Sequence, residues 1–176
     1  EYDKAKKVCE DILDIQPDDL NATNLLAILN FHNKDFVQSI KFFEKAIEIN
    51  PNISETYNNL GNVYYEFKQF NLAIENYNKA LKINPNFALS YYNRAKALQE
   101  INQKQEAISD YDKAISINNN FSAAYKNLGN LYMELKILDK SIYNHVQALK
   151  INPNMSYLNG TITVSYTHLT LPTSSQ

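Results

Sequence analysis

The chain has 176 residues, a formal net charge of −2, one cysteine and no tryptophan. Because 17 basic residues are balanced by 19 acidic ones, no overall positive field would draw the chain to nucleic acid or to an anionic membrane. Its single cysteine, Cys9, cannot form an internal disulfide, and no apolar run reaches the roughly 18 residues of a membrane span. These features favour an intracellular protein, cytoplasmic or nuclear, without nucleic-acid or membrane partners.

A motif recurs along the chain with a period of 34 residues. Residues 57–64 (YNNLGNVY) return 68 positions later as residues 125–132 (YKNLGNLY), and a weaker copy occupies residues 91–98. Four of the five prolines follow the same period: Pro17, Pro51, Pro85 and Pro153. Self-similarity at this spacing is the sequence signature of a solenoid, in which each unit packs only on its neighbours.

In chain order, residues 1–19 are interpreted as the second half of one repeat, followed by four complete repeats. The complete repeats are 20–53, 54–87, 88–121 and 122–155. In each unit two apolar blocks with helical spacing flank a polar break, which predicts a hairpin of two helices. For the unit 54–87 we predict helices at Ser54–Phe67 and Asn71–Ile83, the second ended by Pro85.

The repeat pattern stops near the C-terminus. Residues 156–162 are interpreted as the start of a further repeat that is cut short. Residues 164–173 (VSYTHLTLPT) look like the translation of a transposase-type sequencing adapter. We therefore predict that residues 163–176 are a non-native tail and exclude them from functional reasoning. A genuine disordered C-terminus is the alternative.

Seven positions of the unit 54–87 carry the spacing aromatic-x2-Leu-Gly-x2-Tyr, then Ala-x3-aromatic, then Pro. They are Tyr57, Leu60, Gly61, Tyr64, Ala73, Tyr77 and Pro85. On these positions the chain resembles the tetratricopeptide repeat over about residues 1–157. The resemblance implies an all-α, right-handed superhelix of helix-turn-helix repeats, whose first helices line a concave face that binds proteins. Arg94 departs from the pattern where leucine is usual, and His145 where an aromatic residue is usual.

Packing explains the residue types at the repeated positions. Gly61 and Gly129 share one phase of the first helix, where a small side chain is predicted to let the second helix approach closely. Cys9 and His145 fall on the phase that Tyr77 occupies in its own repeat. We therefore predict that both are core residues rather than a nucleophile or metal ligands.

Several strings that look like sites recur with the repeat. The Asn-x-Ser strings at residues 52–54, 120–122 and 154–156 match the glycosylation pattern. We interpret them as turns between repeats, in which serine caps the next helix. No glycine-rich phosphate loop, Ser/His/Asp set or metal-ligand spacing occurs, so we predict that this segment has no active site, cofactor or metal.

The repeat pattern does not specify the residues of a second stripe on the first helices. On this stripe the equivalent positions of successive repeats form three rows, which we call ladders. The ladders are Asn59, Asn93 and Asn127; Asn62, Lys96 and Asn130; and Glu66, Glu100 and Glu134. A side-chain amide can donate to and accept from a peptide backbone, so we expect these ladders to hold an extended segment. The predicted peptide-binding residues are Asn58, Asn59, Asn62, Tyr65, Glu66, Tyr92, Asn93, Lys96, Lys126, Asn127 and Asn130.

We therefore interpret the chain as a scaffold that binds a protein or peptide segment. The glutamate ladder would favour a basic segment. The asparagine ladder resembles that of O-linked N-acetylglucosamine transferases, so the alternative is the substrate-recruiting arm of such an enzyme. A clamp for acidic chaperone tails is disfavoured, because Asn58, Ala123 and Asn127 stand where it requires Lys or Arg. An RNA-binding repeat would prefer a basic face. It also stays open that the asparagines only reflect biased composition and face water.

Overall fold

The computed structural model describes residues 2–170, a range that contains ten α-helices and no β-strand. The helices are α1 (Tyr2–Ile15), α2 (Leu20–His32), α3 (Phe36–Ile49), α4 (Ser54–Glu66), α5 (Phe70–Ile83), α6 (Ala88–Glu100), α7 (Lys104–Ile117), α8 (Ser122–Glu134), α9 (Leu138–Ile151) and α10 (Leu158–Thr170). A 3-10 turn at Pro153–Met155 precedes α10. None of these helices is long and apolar enough to cross a membrane.

The helices pack in consecutive pairs. The most extensive contacts join α2 to α3, α4 to α5, α6 to α7 and α8 to α9, and each pair packs on the next. First helices begin at residues 20, 54, 88 and 122, which reproduces the 34-residue period. The predicted all-α superhelix of helix-turn-helix repeats is confirmed. Helix α4 ends one residue before the predicted Phe67, and α5 begins one residue before Asn71.

The turn within each pair depends on one residue in the left-handed backbone conformation. These residues are Lys34, Lys68, Asn102 and Lys136, with φ between 61° and 63°. After α4, the Lys68 N–H donates to the Tyr65 carbonyl at 3.0 Å and the Gln69 N–H to the Tyr64 carbonyl at 2.8 Å. These bonds satisfy carbonyl groups that the helix end leaves open, so the chain reverses without stranded polar groups.

Asparagine builds the turns between repeats. The side-chain oxygens of Asn50, Asn84, Asn118 and Asn152 each accept from the backbone N–H two residues later, at 3.0–3.2 Å. The prediction that Ser54 and Ser122 cap the next helix is wrong. The N-cap positions are Ile53 and Phe121, which offer no side-chain acceptor, and both serines already lie in the first turn of their helices.

Close packing in the pairs α4–α5 and α8–α9 depends on a glycine in the first helix of each pair. A Cβ at Gly61 would lie 2.5 Å from Cε1 of Tyr77, and one at Gly129 would lie 2.5 Å from Cδ2 of His145. Tyr77, His145 and Cys9 are all buried, which confirms their prediction as core residues. Within residues 2–170 no group of His, Cys, Asp and Glu is placed to hold a metal ion.

The last helix includes part of the predicted non-native tail. Residues 163–170 belong to α10, which packs against α9. A helical conformation does not bear on the origin of these residues, so the non-native tail stays a prediction. The same holds for the repeat start at 156–162, and residues 171–176 of the tail lie outside the described residues.

Candidate functional site

The first helices of neighbouring repeats lie against one another on one side of the stack. Helix α2 contacts α4, and α4 contacts α6, whereas no two second helices in the described chain make a contact of this extent. Side-chain bonds join the first helices: Ser90 Oγ donates to Asn58 Oδ1 at 2.9 Å, and Asn127 Nδ2 to the Tyr92 hydroxyl at 3.1 Å. These contacts place the first helices together on one side of the stack, where the resemblance to the tetratricopeptide repeat implies a concave face; we call the surface of these helices the groove.

The predicted site residues differ in their access to this groove. Asn58 and Asn93 are buried, at 1% and 8% exposure. The partly exposed residues are Asn59, Asn62, Tyr65, Tyr92, Lys96, Lys126 and Asn127, and the exposed ones are Glu66 and Asn130. Asn58 thus differs from our expectation that it faces the groove. Its Oδ1 accepts from Ser90 Oγ and from Asn93 Nδ2, at 2.9 and 3.2 Å, inside the contact between α4 and α6.

The first asparagine ladder is used mainly between repeats. Asn93 and Asn127 each donate to the side chain 35 positions earlier, Asn58 and Tyr92 respectively. Asn59 keeps a partly exposed amide, whose Oδ1 lies 3.5 Å from Asn58 Nδ2. The three asparagines of this ladder therefore do not present three equivalent amides to a ligand.

The second ladder is oriented by polar groups of the second helices. The Tyr77 hydroxyl donates to Asn62 Oδ1 at 2.9 Å. His145 Nε2 lies 2.9 Å from Asn130 Oδ1, a bond that requires the proton on Nε2. Because both amide oxygens are held by the core, the NH2 groups of Asn62 and Asn130 remain for the groove.

Lys96 occupies the same ladder position in the unit 88–121 and lies in a polar pocket. A cavity of about 220 Å³ is lined by Tyr65, Lys96, Gln99, Glu100, Asn127 and Asn130. Lys96 Nζ lies 4.3 Å from the centroid of the Tyr65 ring and 5.9 Å from that of Tyr92. The Tyr111 hydroxyl donates to Gln99 Oε1, which leaves the Gln99 NH2 group for the pocket.

The pocket shifts the titration of two of its residues. Burial lowers the pKa of Lys96, opposed by the charges of Glu66 and Glu100. Burial also raises the pKa of Tyr65 to about 12, and Glu100 adds to this rise because its Oε1 accepts from the Tyr65 hydroxyl at 3.1 Å. The Lys96 cation and the Tyr65 phenol thus face each other in a partly desolvated site.

Two of the three ladder glutamates already have partners. Glu100 accepts from the Tyr65 hydroxyl, and Glu134 pairs with Lys104 at 2.6 Å. Glu66 is exposed at the end of α4. The ladder is therefore not a continuous row of carboxylates open to a ligand.

The groove becomes apolar toward the N-terminal repeats. A cavity of about 240 Å³ is lined by Ile28, Phe31, His32, Phe43, Asn59 and Asn62. Sequence reasoning missed Ile28 and Phe31 because the ladders were followed only through polar residues, and it missed Gln99 because that residue belongs to none of the three ladders. The signal was present: Ile28 stands 34 positions before Asn62, and Gln99 lies three residues after Lys96, on the same helix face.

Comparison of the sequence with known families agrees with this architecture. Models of the tetratricopeptide repeat match residues 1–52, 54–87 and 76–109, which together span more than half of the chain. The chain belongs to the tetratricopeptide repeat family. No curated protein matches it. The repeat fold indicates a scaffold for protein–protein interaction.

Solved structures share the fold. A crystal structure of MamA is 21% identical, with a TM-score of 0.80 over 89% of this chain and 91% of that chain. A second MamA structure is 27% identical, with a TM-score of 0.76 over 84% and 80% of the two chains. YrrB, described as a TPR protein with an unusual peptide-binding site, is 19% identical, with a TM-score of 0.74 over 92% and 84%.

Proposed function

We propose that this scaffold holds an extended segment of a protein partner in the concave groove. The observation that carries the proposal is the fixed orientation of Asn62 and Asn130, whose amide oxygens are engaged by Tyr77 and His145. Their NH2 groups can donate to backbone carbonyls of a ligand whatever its side chains are. The cores of the units 54–87 and 122–155 therefore orient donors that main-chain recognition can use.

The remaining predicted residues take two roles in this proposal. Asn58 and Asn93 act indirectly, because their mutual bond fixes the spacing of α4 and α6. Tyr65 and Tyr92 offer ring surface to ligand side chains. The further ligand-facing groups are Asn59, Lys96, Lys126 and Asn127. Of the three glutamates from which we expected a preference for basic ligands, only Glu66 is exposed and without an ionic or hydrogen-bond partner among the described residues, so we no longer expect that preference.

Peptide display tests the proposal. A phage library of random 12-residue peptides is selected on the intact chain, and the recovered peptides are measured by fluorescence anisotropy. The double variant Asn62→Asp, Asn130→Asp keeps the acceptors for Tyr77 and His145 but removes the NH2 donors. We expect it to weaken binding about tenfold, because the two hydrogen bonds from these NH2 groups to the peptide are lost.

A matched double variant controls for the change in net charge. Asn71→Asp, Asn120→Asp makes the same two changes at exposed positions on α5 and in a turn between repeats. It should bind as the wild type does. Equal affinities for both double variants, at unchanged helicity, would contradict groove binding through these amides.

The enzymatic alternative uses the same groove. As the substrate-recruiting arm of a glycosyltransferase, the chain would hold its substrates through the same NH2 donors. The gene sequence that follows the codon of residue 162 distinguishes the two proposals. A nucleotide-sugar-binding domain there would favour the arm, and further repeats or a stop codon would favour the scaffold.

A further inference from the structure

We infer that the groove selects a segment with one large apolar side chain and, about five or six residues away, one acidic side chain. This inference rests on the proposed function and deepens it by naming the ligand's chemistry. It follows from the ladder that runs along the groove at a single helical position. That ladder reads Ile28, Asn62, Lys96 and Asn130, so its chemistry changes from apolar to cationic along the stack.

The acidic subsite is the cavity at Lys96. Three groups there can only donate to a ligand: the Lys96 ammonium, the Gln99 NH2 and the Asn130 NH2. The amide oxygens of Gln99 and Asn130 are taken by Tyr111 and His145, so the amide and carboxylate acceptors that remain in the lining are Asn127 Oδ1 and the Glu100 carboxylate, which already accepts from Tyr65. The three donors recognise a group that only accepts, and an ionised carboxylate is the side chain of that kind.

Charge at this subsite also favours an acidic group. Within the described residues no carboxylate lies within 4.0 Å of Lys96 Nζ. Beyond that distance the charges of Glu66 and Glu100 act on Lys96 more strongly than those of Lys126 and Lys68, and Glu100 also accepts from the Tyr65 hydroxyl. A carboxylate of the ligand would give the partly buried Lys96 cation the direct ionic partner that it lacks.

The apolar subsite is the cavity beneath Ile28 and Phe31 on α2. Phe31 packs against Phe36, with ring centroids 6.1 Å apart, so its ring has a fixed place in the wall. Asn59 and Asn62 of α4 close the cavity on the side that faces the acidic subsite. A large aliphatic or aromatic side chain of the ligand would bury apolar area here while its backbone reaches these amides.

The helix spacing sets the separation of the two subsites. The apolar cavity lies between α2 and α4, and the acidic one spans α4, α6 and α8. At roughly 10 Å between packed helices, the two centres lie about 15–20 Å apart. An extended chain rises about 3.3 Å per residue, which corresponds to about five or six residues.

The composition of selected peptides tests this inference. Peptides recovered from the random 12-residue library should share an Asp or Glu with a Phe, Leu, Ile or Met at about this separation. The variant Lys96→Asn installs the residue that neighbouring repeats carry at this position, so the fold should tolerate it. We expect it to weaken the binding of those peptides about tenfold. Peptides with Asp and peptides with Asn at the acidic position should then bind with equal affinity.

Two further variants complete the design. Lys113→Asn makes the same charge change on α7, at an exposed position outside the groove, and should leave affinity unchanged. Ile28→Asn extends the amide ladder into the apolar subsite. It should weaken the binding of peptides that carry the apolar residue about tenfold and leave the affinity of peptides without it unchanged.

The outcomes separate this inference from the proposed function. Recovered peptides rich in Lys or Arg, or equal affinities for wild type and Lys96→Asn, would overturn the ligand chemistry and leave groove binding standing. Failure to recover any peptide whose binding depends on Asn62 and Asn130 would instead contradict the proposed function itself.

Discussion

The units 54–87 and 122–155 solve the same packing problem with different residues. In both, a first-helix glycine lies under a second-helix ring, and the next residue is an asparagine whose Oδ1 that ring engages. The ring is Tyr77 in one unit and His145 in the other. The comparison shows that the groove amide is positioned by a donor in the core rather than by one residue type.

The two units differ more at the position three residues before the glycine. Asn58 is buried and bonded to α6, whereas Lys126, its equivalent, is partly exposed. The first unit is therefore joined to its successor by buried side-chain bonds at a position where the second unit carries a partly exposed lysine. Four experiments probe these similarities and differences.

The largest effect is expected where the glycine contact is broken. Gly61→Leu places a side chain where even a Cβ would lie 2.5 Å from the buried Tyr77 ring. We expect the free energy of unfolding to fall by about 3 kcal/mol, since an overpacked core must shift its backbone. Urea denaturation followed by circular dichroism measures this. Gly160→Leu is the control, because a Cβ at Gly160 meets no atom within 4 Å; equal losses for the two variants would refute the packing argument.

Asn58→Ala tests the buried bonds between α4 and α6, at a position that is Lys126 in the unit 122–155. Without Asn58, the Ser90 hydroxyl and the Asn93 amide lose their shared buried acceptor. We expect a loss of about 2 kcal/mol in the free energy of unfolding. Asn59→Ala, one residue away but partly exposed, should change it by less than about 0.5 kcal/mol. The idea fails if Asn58 and Asn59 respond alike.

This neighbouring pair also shows what the sequence can predict. The 34-residue period identified the core, because helix packing repeats the same demand for a small residue at Gly61 and a ring at Tyr77. It could not separate Asn58 from Asn59, since both lie on the open stripe. The burial of Asn58 is decided by contacts with Ser90 and Asn93, more than 30 residues away.

The orientation of the groove amides was hidden from the sequence for a similar reason. Asn62 was predicted to face the groove, but nothing in its own helix indicates which amide atom the core engages. That depends on the Tyr77 hydroxyl, 15 residues later, and only the packed hairpin brings the two together. The apolar and acidic subsites likewise emerge from cavities that cross two or three helices.

Acid titration should distinguish the two rings. Burial lowers the pKa of His145, and the nearby Lys126 carbonyl opposes this only in part. The unfolded state therefore binds the proton first, so stability falls as pH drops below about 6.5, by at most about 1.4 kcal/mol per pH unit. His145→Tyr should remove this part of the pH dependence, because tyrosine does not titrate in this pH range. The fold should tolerate the change, since the unit 54–87 already packs tyrosine beside glycine and asparagine. Unfolding midpoints between pH 7.5 and 5 measure it; an unchanged slope would contradict the prediction.

The turns within the two units provide the finest comparison. Lys68 and Lys136 both have positive φ, 62° and 61°, a conformation that costs a non-glycine residue roughly 1 kcal/mol. Lys136→Gly should therefore raise the free energy of unfolding by about 1 kcal/mol. Lys68→Gly should raise the free energy of unfolding by only about 0.5 kcal/mol. It also loses the contacts of Lys68 Nζ with the rings of Tyr65 and Phe70, whose centroids both lie 5.9 Å away. Equal gains in urea denaturation would show that these ring contacts contribute nothing, and a loss in either variant would contradict the left-handed turn.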